Sequence, residues 1–350
     1  MTTLSRRALN RATLARQYLL DRSDAGALAA IEHLGGMQSQ APLAPYVGLW
    51  TRLRDFEPAE LSKLTEERRA VRTHVMRTTV HLVSARDCLD WHRHFQCRHA
   101  AAFSPHHRGL TADPGELRAE TVRLLDEQPR TRAELAKLLA ARWPDEDPSA
   151  LTFAAAHAVP TCQVPPRGLW GRSGPAAWAP VESWLGEPLR TTPIDEVVLR
   201  GLGAFGPATV ADLQVWSGLT RLAEVVGRLP LQTFKNETNQ LLYDLPAAPR
   251  PDEDVPAPPR FLPEYDNLLL SHRDRTRFNP DARPVPLPPG NGATSGTFLV
   301  DGIWEGTWQL RDRRLTLRPY RKIDLDPLLA EATALCSWLA PGAEIAVETG

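Results

Sequence analysis

Three times along this chain a run of helix-forming segments ends in a short alternating stretch, and that recurrence limits the possible folds more than any other feature. In the first series, residues 4–22 carry Leu9, Leu14, Tyr18 and Leu19 on roughly one face and are expected as a single helix. Ser23 or Asp24 caps a second helix with Leu28, Ile31 and Leu34, which ends at Gly35-Gly36. Tyr46, Leu49, Trp50 and Leu53 recur at three- and four-residue spacing as the buried stripe of another helix, and a short one starts near Pro58 with Leu61 and Leu64. The run VRTHVMRTTVHLV then alternates and is rich in β-branched residues, so it reads as paired strands. The second series has helices from Glu116, from a Thr131 cap and over residues 149–159, followed by LWGRSGPAAWAPV as a hairpin around Ser173-Gly174. The third has IDEVVLRGLGAF, then VADLQVWSG after Thr209 and TRLAEVVGRL after Leu219. It closes on LQTFKNETNQLLYDL, a hairpin around Glu237-Thr238-Asn239. Helices followed by a small hairpin describe a winged helix, and Gly218 between two short helices also fits a helix-turn-helix.

The expected architecture is therefore mainly α with small β-hairpins: three tandem winged-helix units plus a C-terminal β element, curved around a DNA channel. Its expected boundaries are residues 1–112, 113–190, 191–246 and 247–350. Residues 246–260 are a Pro-rich acidic linker or crossing strap. Beyond it, TFLVDGIWEGTWQL and RRLTLRPY are strand-like and break at Asp301-Gly302 and around Asp312; a helix over 325–339 and a last strand, AEIAVET, follow. The four cysteines show no paired spacing, which favours free thiols in a reducing cytoplasm. No apolar run approaches the length of a membrane span, and the N-terminus opens polar and Arg-rich rather than as a signal peptide. A net charge of −1 excludes a global basic field, so any DNA-binding surface must come from local segregation of charge.

Gln38 and Gln40 flank the small Ser39 between the Gly35-Gly36 break and Pro42. Residues two apart in an extended or turning backbone project to one side, so the two amides can converge on one small molecule or one water. Spacing alone favours the plainer reading of two loop glutamines bonded to nearby backbone. A different cluster, Trp91, His92, His94, Cys97 and His99, loads the helix over 89–103. His92 and His94 point different ways on a helix and the spacing matches no zinc pattern, so a half-exposed polar face is expected there and no metal.

The run GGMQSQAPLAPYVGLWTRL, with RTHVMRTTVHLV from Arg72 and LPEYDNLLLSHRDR from Leu262, resembles the AlkZ/YcaQ family of winged-helix DNA glycosylases. The Gln-x-Gln form of the first block resembles the AlkZ branch; the other branch carries Gln-x-Asp there. The resemblance implies Gln38 and Gln40 as the catalytic pair of a monofunctional glycosylase without a cofactor. The implied substrate is double-stranded DNA carrying bulky cationic N7- or N3-alkylpurines. The implied setting is self-resistance to a DNA-alkylating natural product, interstrand crosslinks included. The chemistry is consistent with neutral amides. An alkylated purine already carries positive charge and leaves without a strong general acid, while a Gln carbonyl orients water and its NH2 holds phosphate or sugar oxygen. The missing carboxylate argues against activity on ordinary uncharged bases.

DNA contacts are expected from three Arg-bearing places. One is Arg72, His74, Arg77 and Thr78 in the first hairpin. Another is SHRDRTR, with His272 and Arg273 beside Asp266 and Asn267, which the resemblance puts near the site. The third is RDRRLTLRPYRK, with Arg313, Arg314, Arg321 and Lys322. Together they would track phosphates without reading sequence. Either the basic turn at Arg311 to Arg314 or the Gly-rich loop at Asn291 to Ser295 is expected to enter a groove beside the lesion, the basic turn being favoured. A monomer is expected, without a membrane partner. The rival readings are a non-enzymatic winged-helix regulator and a lesion-binding protein without catalysis.

Overall fold

A computed structural model describes residues 1–103, 109–286 and 295–348, with only the backbone for 97–103. The chain forms two compact units, one built from Met1–Glu57 with Val198–Gly350 and the other from Pro58–Val197. The four segments read from the sequence follow local structure. The two units follow packing, and their first boundary falls inside the first of those segments.

The first unit is assembled around the helix Arg6–Arg16, capped by the Ser5 hydroxyl, which accepts from Ala8 N at 3.0 Å. It ends six residues earlier than the periodicity suggests. Tyr18 takes φ +55°, and Leu19 N turns back to donate to Leu14 O at 2.9 Å, which stops the helical ladder. Apolar Leu9 and Leu14 are buried, and so are Asn10, Arg11, Thr13 and Arg16. Each of these polar groups is met by backbone or a charge. Asn10 Nδ2 donates to Arg277 O (2.7 Å) and Gly302 O (2.8 Å), and Arg11 Nε to Val255 O (2.6 Å). Val255 belongs to the Pro-rich stretch, which here is a strap laid against the helix, with Ala257 inside the core alongside Leu14, Leu262, Phe278 and Trp304.

The C-terminal β element is a sheet in the order 260–262, 296–300, 303–311, 314–319, 344–347, antiparallel except for the last pair. Two two-residue turns join its central strands. Asp301 and Gly302 have φ +47° and +76°, and Asp312 and Arg313 have +47° and +60°, the left-handed pair that matches strand twist. The helix Asp326–Leu339 buries Leu328, Ala332, Leu335 and Cys336, and its Trp338 stacks on Trp50 at 5.8 Å between ring centroids. The third series stands close to its sequence reading: Ile194–Phe205, Val210–Ser217, Ala223–Arg228, then strands Gln232–Asn236 and Leu241–Asp244. Thr209 and Asp212 form a reciprocal capping box, and Gly218 ends that helix at φ +77°.

In the second unit, helices Pro114–Glu127, Arg132–Arg142 and Pro148–Ala158 bury Leu117, Leu124, Leu135, Leu139 and Leu151 in one cluster. Its strands run in the order 80–84, 70–74, 161–164, 177–180, 130–131. The expected strand pair over 71–83 is present as Ala70–His74 and Val80–Ser84. The second hairpin differs from expectation. Its second strand, Ala177–Pro180, falls where expected, but its first strand is Thr161–Val164, and the residues between are the connection, where Gly168 (φ +92°) and Gly171 (φ +67°) curl the chain into turns. Among the described residues no helix is long and apolar enough to cross a membrane. Among the described residues no group of three His, Cys, Asp or Glu is placed to hold a metal, and Cys88, Cys162 and Cys336 are buried free thiols. The Gly-rich loop at Asn291 to Ser295, except Ser295 itself, and the side chains of Cys97 and His99 lie outside the described residues.

Arg16 and Asp244 form a bidentate pair, Nη1–Oδ1 2.7 Å and Nη2–Oδ2 2.9 Å, with both side chains fully enclosed. Removing one partner of such a pair strands a charge. Asp244→Ala is therefore expected to lower unfolding free energy by about 3–5 kcal/mol, read from denaturant midpoints. A loss under about 1 kcal/mol would show that water reaches Arg16. His272 is a second buried group with a measurable signature. Its Nε2–H donates to Phe205 O at 3.0 Å; burial, reinforced by the neighbouring Arg277 charge, pushes its pKa down to about 4. The unfolded imidazole takes its proton near pH 6.5, so the unfolded state binds more protons between pH 6.5 and about 4. Stability should fall as pH drops through that window, by on the order of 2 kcal/mol at pH 5 from this group. His272→Gln keeps a donor for Phe205 O and should flatten the decline in melting temperature between pH 7 and 5; an unchanged slope would contradict the assignment.

Candidate active site

The Gln38–Gln40 stretch is fixed from both sides. Gly35 and Gly36 take φ +67° and +85°, so the chain leaves the helix Ala27–His33 in a conformation that L side chains resist. It then runs as a two-residue strand, Met37–Gln38, before the helix Ala44–Trp50 begins with Pro45 in its first turn. All seven residues of that helix are buried, which goes beyond the one-sided stripe read from the sequence. A Cβ on Gly48 would lie 2.5 Å from the Met37 methyl, so the stretch folds directly back onto the helix that follows it.

Gln38 Nε2 donates to Gln40 Oε1 at 2.5 Å. The two amides therefore converge, as residues two apart in extended backbone should. Gln38 is nearly enclosed, at 7 % exposure, Ser39 is fully buried, and Gln40 is half-buried. Of what lies behind them, the family resemblance put only Asp266 and Asn267 near the site, and no sequence signal pointed to Arg52 or Gln17. Arg52, two residues past the helix and 2 % exposed, donates Nη1 to Gly48 O (3.0 Å) and to Asp266 Oδ2 (2.9 Å). Its Nη2 donates to Asp266 Oδ1 (2.9 Å) and Gln17 Oε1 (3.3 Å). Asp266 Oδ1 also accepts from Leu268 N (2.9 Å), and Asn267 Nδ2 donates to Gly36 O (3.2 Å). Gln17, Gly36, Gln38, Arg52, Asp266 and Asn267 line one cavity with room for about one water. Among the described residues, Arg52 Nε–H has no acceptor. Glu264, in the same LPEYDN block, is held above the usual carboxylate range by burial.

The residues expected at DNA divide into two groups. Arg72, at 3 % exposure, lies inside its unit, with its Cδ 2.9 Å from where a Cβ on Gly168 would stand. His272 and Arg277 are buried in the first unit, where Arg277 donates to Thr13 Oγ1 (3.1 Å) and Pro207 O (3.2 Å). Asp266 and Asn267 are bonded to the Gln stretch and its brace. None of these side chains presents a surface to a phosphate as folded. The reason is physical: a guanidinium or imidazole that meets several internal acceptors can be held inside, and a sequence does not display those acceptors. Arg77 and Thr78 stand half-buried on the turn between strands 70–74 and 80–84, both with positive φ, and His74 is half-buried too. Arg273, Arg313, Arg314, Arg321 and Lys322 are exposed. Arg313 Nη2 donates to Pro341 O (2.6 Å), and Arg321 is paired with Glu305. His92 is buried and His94 half-buried on the helix Ala85–Phe103.

No curated protein sequence matches the chain. Among solved structures, the Streptomyces sahachiroi DNA glycosylase AlkZ superposes with a TM-score of 0.75 at 19% identity over 100% of both chains, which establishes a shared fold. Residues 31–338 match the family described as DNA glycosylase AlkZ-like, and that span takes in the Gln stretch, its Arg52–Asp266 brace, the whole of the second unit and most of the first. The chain belongs to the AlkZ-like DNA glycosylase family.

Proposed function

We propose that this chain is a monofunctional DNA glycosylase that hydrolyses the N-glycosidic bond of cationic N7- or N3-alkylpurines in duplex DNA, bulky adducts included. The observation that carries this reading is the convergent Gln38–Gln40 pair, joined amide to amide and held against a wholly buried helix. In the reaction the bond from C1′ to the purine nitrogen breaks with its electron pair going to the base, whose positive charge is thereby neutralised. Water adds to C1′ and loses a proton to solvent. Two neutral amides supply what such a departure needs, an oriented water and a grip on the sugar-phosphate. Gln38 donates to Gln40, and Gln40, half-buried, faces the substrate. Crosslink unhooking and self-resistance to an alkylating natural product are the setting we assign.

Binding rests, in this reading, on cations at separate places: the half-buried Arg77 on the turn of the first hairpin, the exposed Arg273, and the exposed Arg313, Arg314 and Lys322 group. The two-residue turn Asp312–Arg313 enters the groove and helps offset the few kcal/mol of unstacking, a role that inserted side chains fill elsewhere. The three helix–hairpin series are winged helices used for backbone contact.

Incubating the protein with duplex containing N7-methylguanine should release free N7-methylguanine and leave an abasic site; no release from this or a larger N7 adduct would refute the reading. Gln38→Ala and Gln40→Ala should each slow release about 10- to 1,000-fold, about 1.4–4 kcal/mol of barrier, with melting temperatures within a few degrees of wild type. Affinity for undamaged duplex should fall steeply with salt. Arg273→Ala or Arg314→Ala should flatten that slope by up to about one unit. A sequence-selective footprint insensitive to salt would favour the regulator instead.

A further inference from the structure

We infer that Arg52 and Asp266 are positioning residues for the reaction, acting through one buried network that sets the amide of Gln38. This rests on the reading of Gln38 as catalytic. The network reaches the Gln stretch at both ends. Upstream, Asn267 Nδ2 holds the carbonyl of Gly36, two residues before Gln38. Downstream, Arg52 Nη1 holds the carbonyl of Gly48, in the helix that the Gln stretch packs against. The two anchors are then tied to each other, because Arg52 grips Asp266 with both Nη groups at 2.9 Å and Asp266 caps the turn that carries Asn267. Gln17 completes the ring, accepting from Arg52 at 3.3 Å and donating to Ala204 O at 2.7 Å.

Two features separate this from an ordinary folding contact. A buried ion pair is a poor source of stability compared with apolar packing of similar volume, so its place directly behind Gln38 calls for another use. The pair also lines the same cavity as Gln38, and Arg52 keeps its Nε–H without an acceptor among the described residues. A guanidinium placed only to close a core would be expected to spend that donor. Asp266 is committed to Arg52 and Leu268 N, so it acts on Gln38 through geometry and not as a base.

The test is single-turnover release of N7-methylguanine by wild type, Gln38→Ala, Asp266→Asn, Arg52→Lys and the double variant Gln38→Ala/Asp266→Asn, with duplex affinity measured alongside. Asp266→Asn should slow the chemical step about 10- to 100-fold while Kd for duplex stays within about twofold, the size of loss a small misplacement causes. In the Gln38→Ala background the same change should cost less than about threefold, because a residue acting through Gln38 has nothing left to position. Arg52→Lys keeps the charge and loses the two-pronged grip, so it should behave as Asp266→Asn does. Multiplicative losses in the double variant, or a wild-type rate in Asp266→Asn, would overturn the inference while leaving Gln38 catalytic. A wild-type rate in Gln38→Ala would instead overturn the catalytic reading itself. If neither Asp266→Asn nor Arg52→Lys folds, the pair is a folding element and the inference is wrong.

Discussion

A buried arginine must find acceptors for its donors wherever the chain places it, and much of the first unit is arranged to meet that demand. Arg16 takes both oxygens of Asp244 and the carbonyl of Leu202, which joins the N-terminal helix to the last strand of the third series. Arg11 takes the carbonyls of Val255 and Asp301, which joins the same helix to the strap and to a turn of the C-terminal sheet. Arg52 takes Asp266, Gly48 and Gln17. The partners lie 186 to 290 residues away in most of these bonds, so the ion pairs and carbonyl contacts fix chain topology as much as local shape. Apolar burial drives the collapse; these directional contacts select which segments meet.

Local structure was largely readable because it is written in local chemistry. Asp301-Gly302 and the Asp312 turn announced themselves by residue type, Thr209 and Thr131 by capping, and the helix Asp326–Leu339 by its periodicity. The spacing of the Gln pair allowed convergence in extended backbone without requiring it, and it was the resemblance to a family that singled the pair out. The misreadings have equally definite causes. A helix predicted to Arg22 stops at Arg16 because Tyr18 turns left-handed, and Leu19 remains buried without being helical. The first arm of the hairpin expected around Ser173-Gly174 is not strand, because Gly168 and Gly171 bend the chain there, while its second arm is the strand Ala177–Pro180.

What the sequence could not show was which arginines are inside. Only 4 of the 41 basic residues are lysine, so arginine carries structural and surface roles alike, and composition does not separate them. Arg52 lies 214 residues from Asp266 and has no motif around it. The LPEYDN block drew notice by resemblance to a family. Its function in this fold is nevertheless inward, with Asp266 and Asn267 turned to the brace and the Gly36 carbonyl.

Inward arginines also change the electrostatic picture. A guanidinium paired with its own carboxylate inside the unit adds almost nothing to the field outside, so Arg16 and Arg52 are lost to DNA attraction while Asp244 and Asp266 stop repelling it. On the proposed reading, phosphate is met by an exposed set around Arg273 and Arg313 to Lys322, whose attraction is short-range and screened by salt in a chain of net charge −1. The same neutrality holds around Gln38, where the nearest charges, Arg52 and Asp266, cancel each other. On the proposed reading that balance is useful. A free carboxylate beside the sugar would stabilise developing positive charge on any nucleotide, normal ones included. A neutral amide pair over a cancelled ion pair gives little help to an uncharged base. A purine that already carries a positive charge needs less of it, so selectivity for damage follows from how little the protein itself contributes.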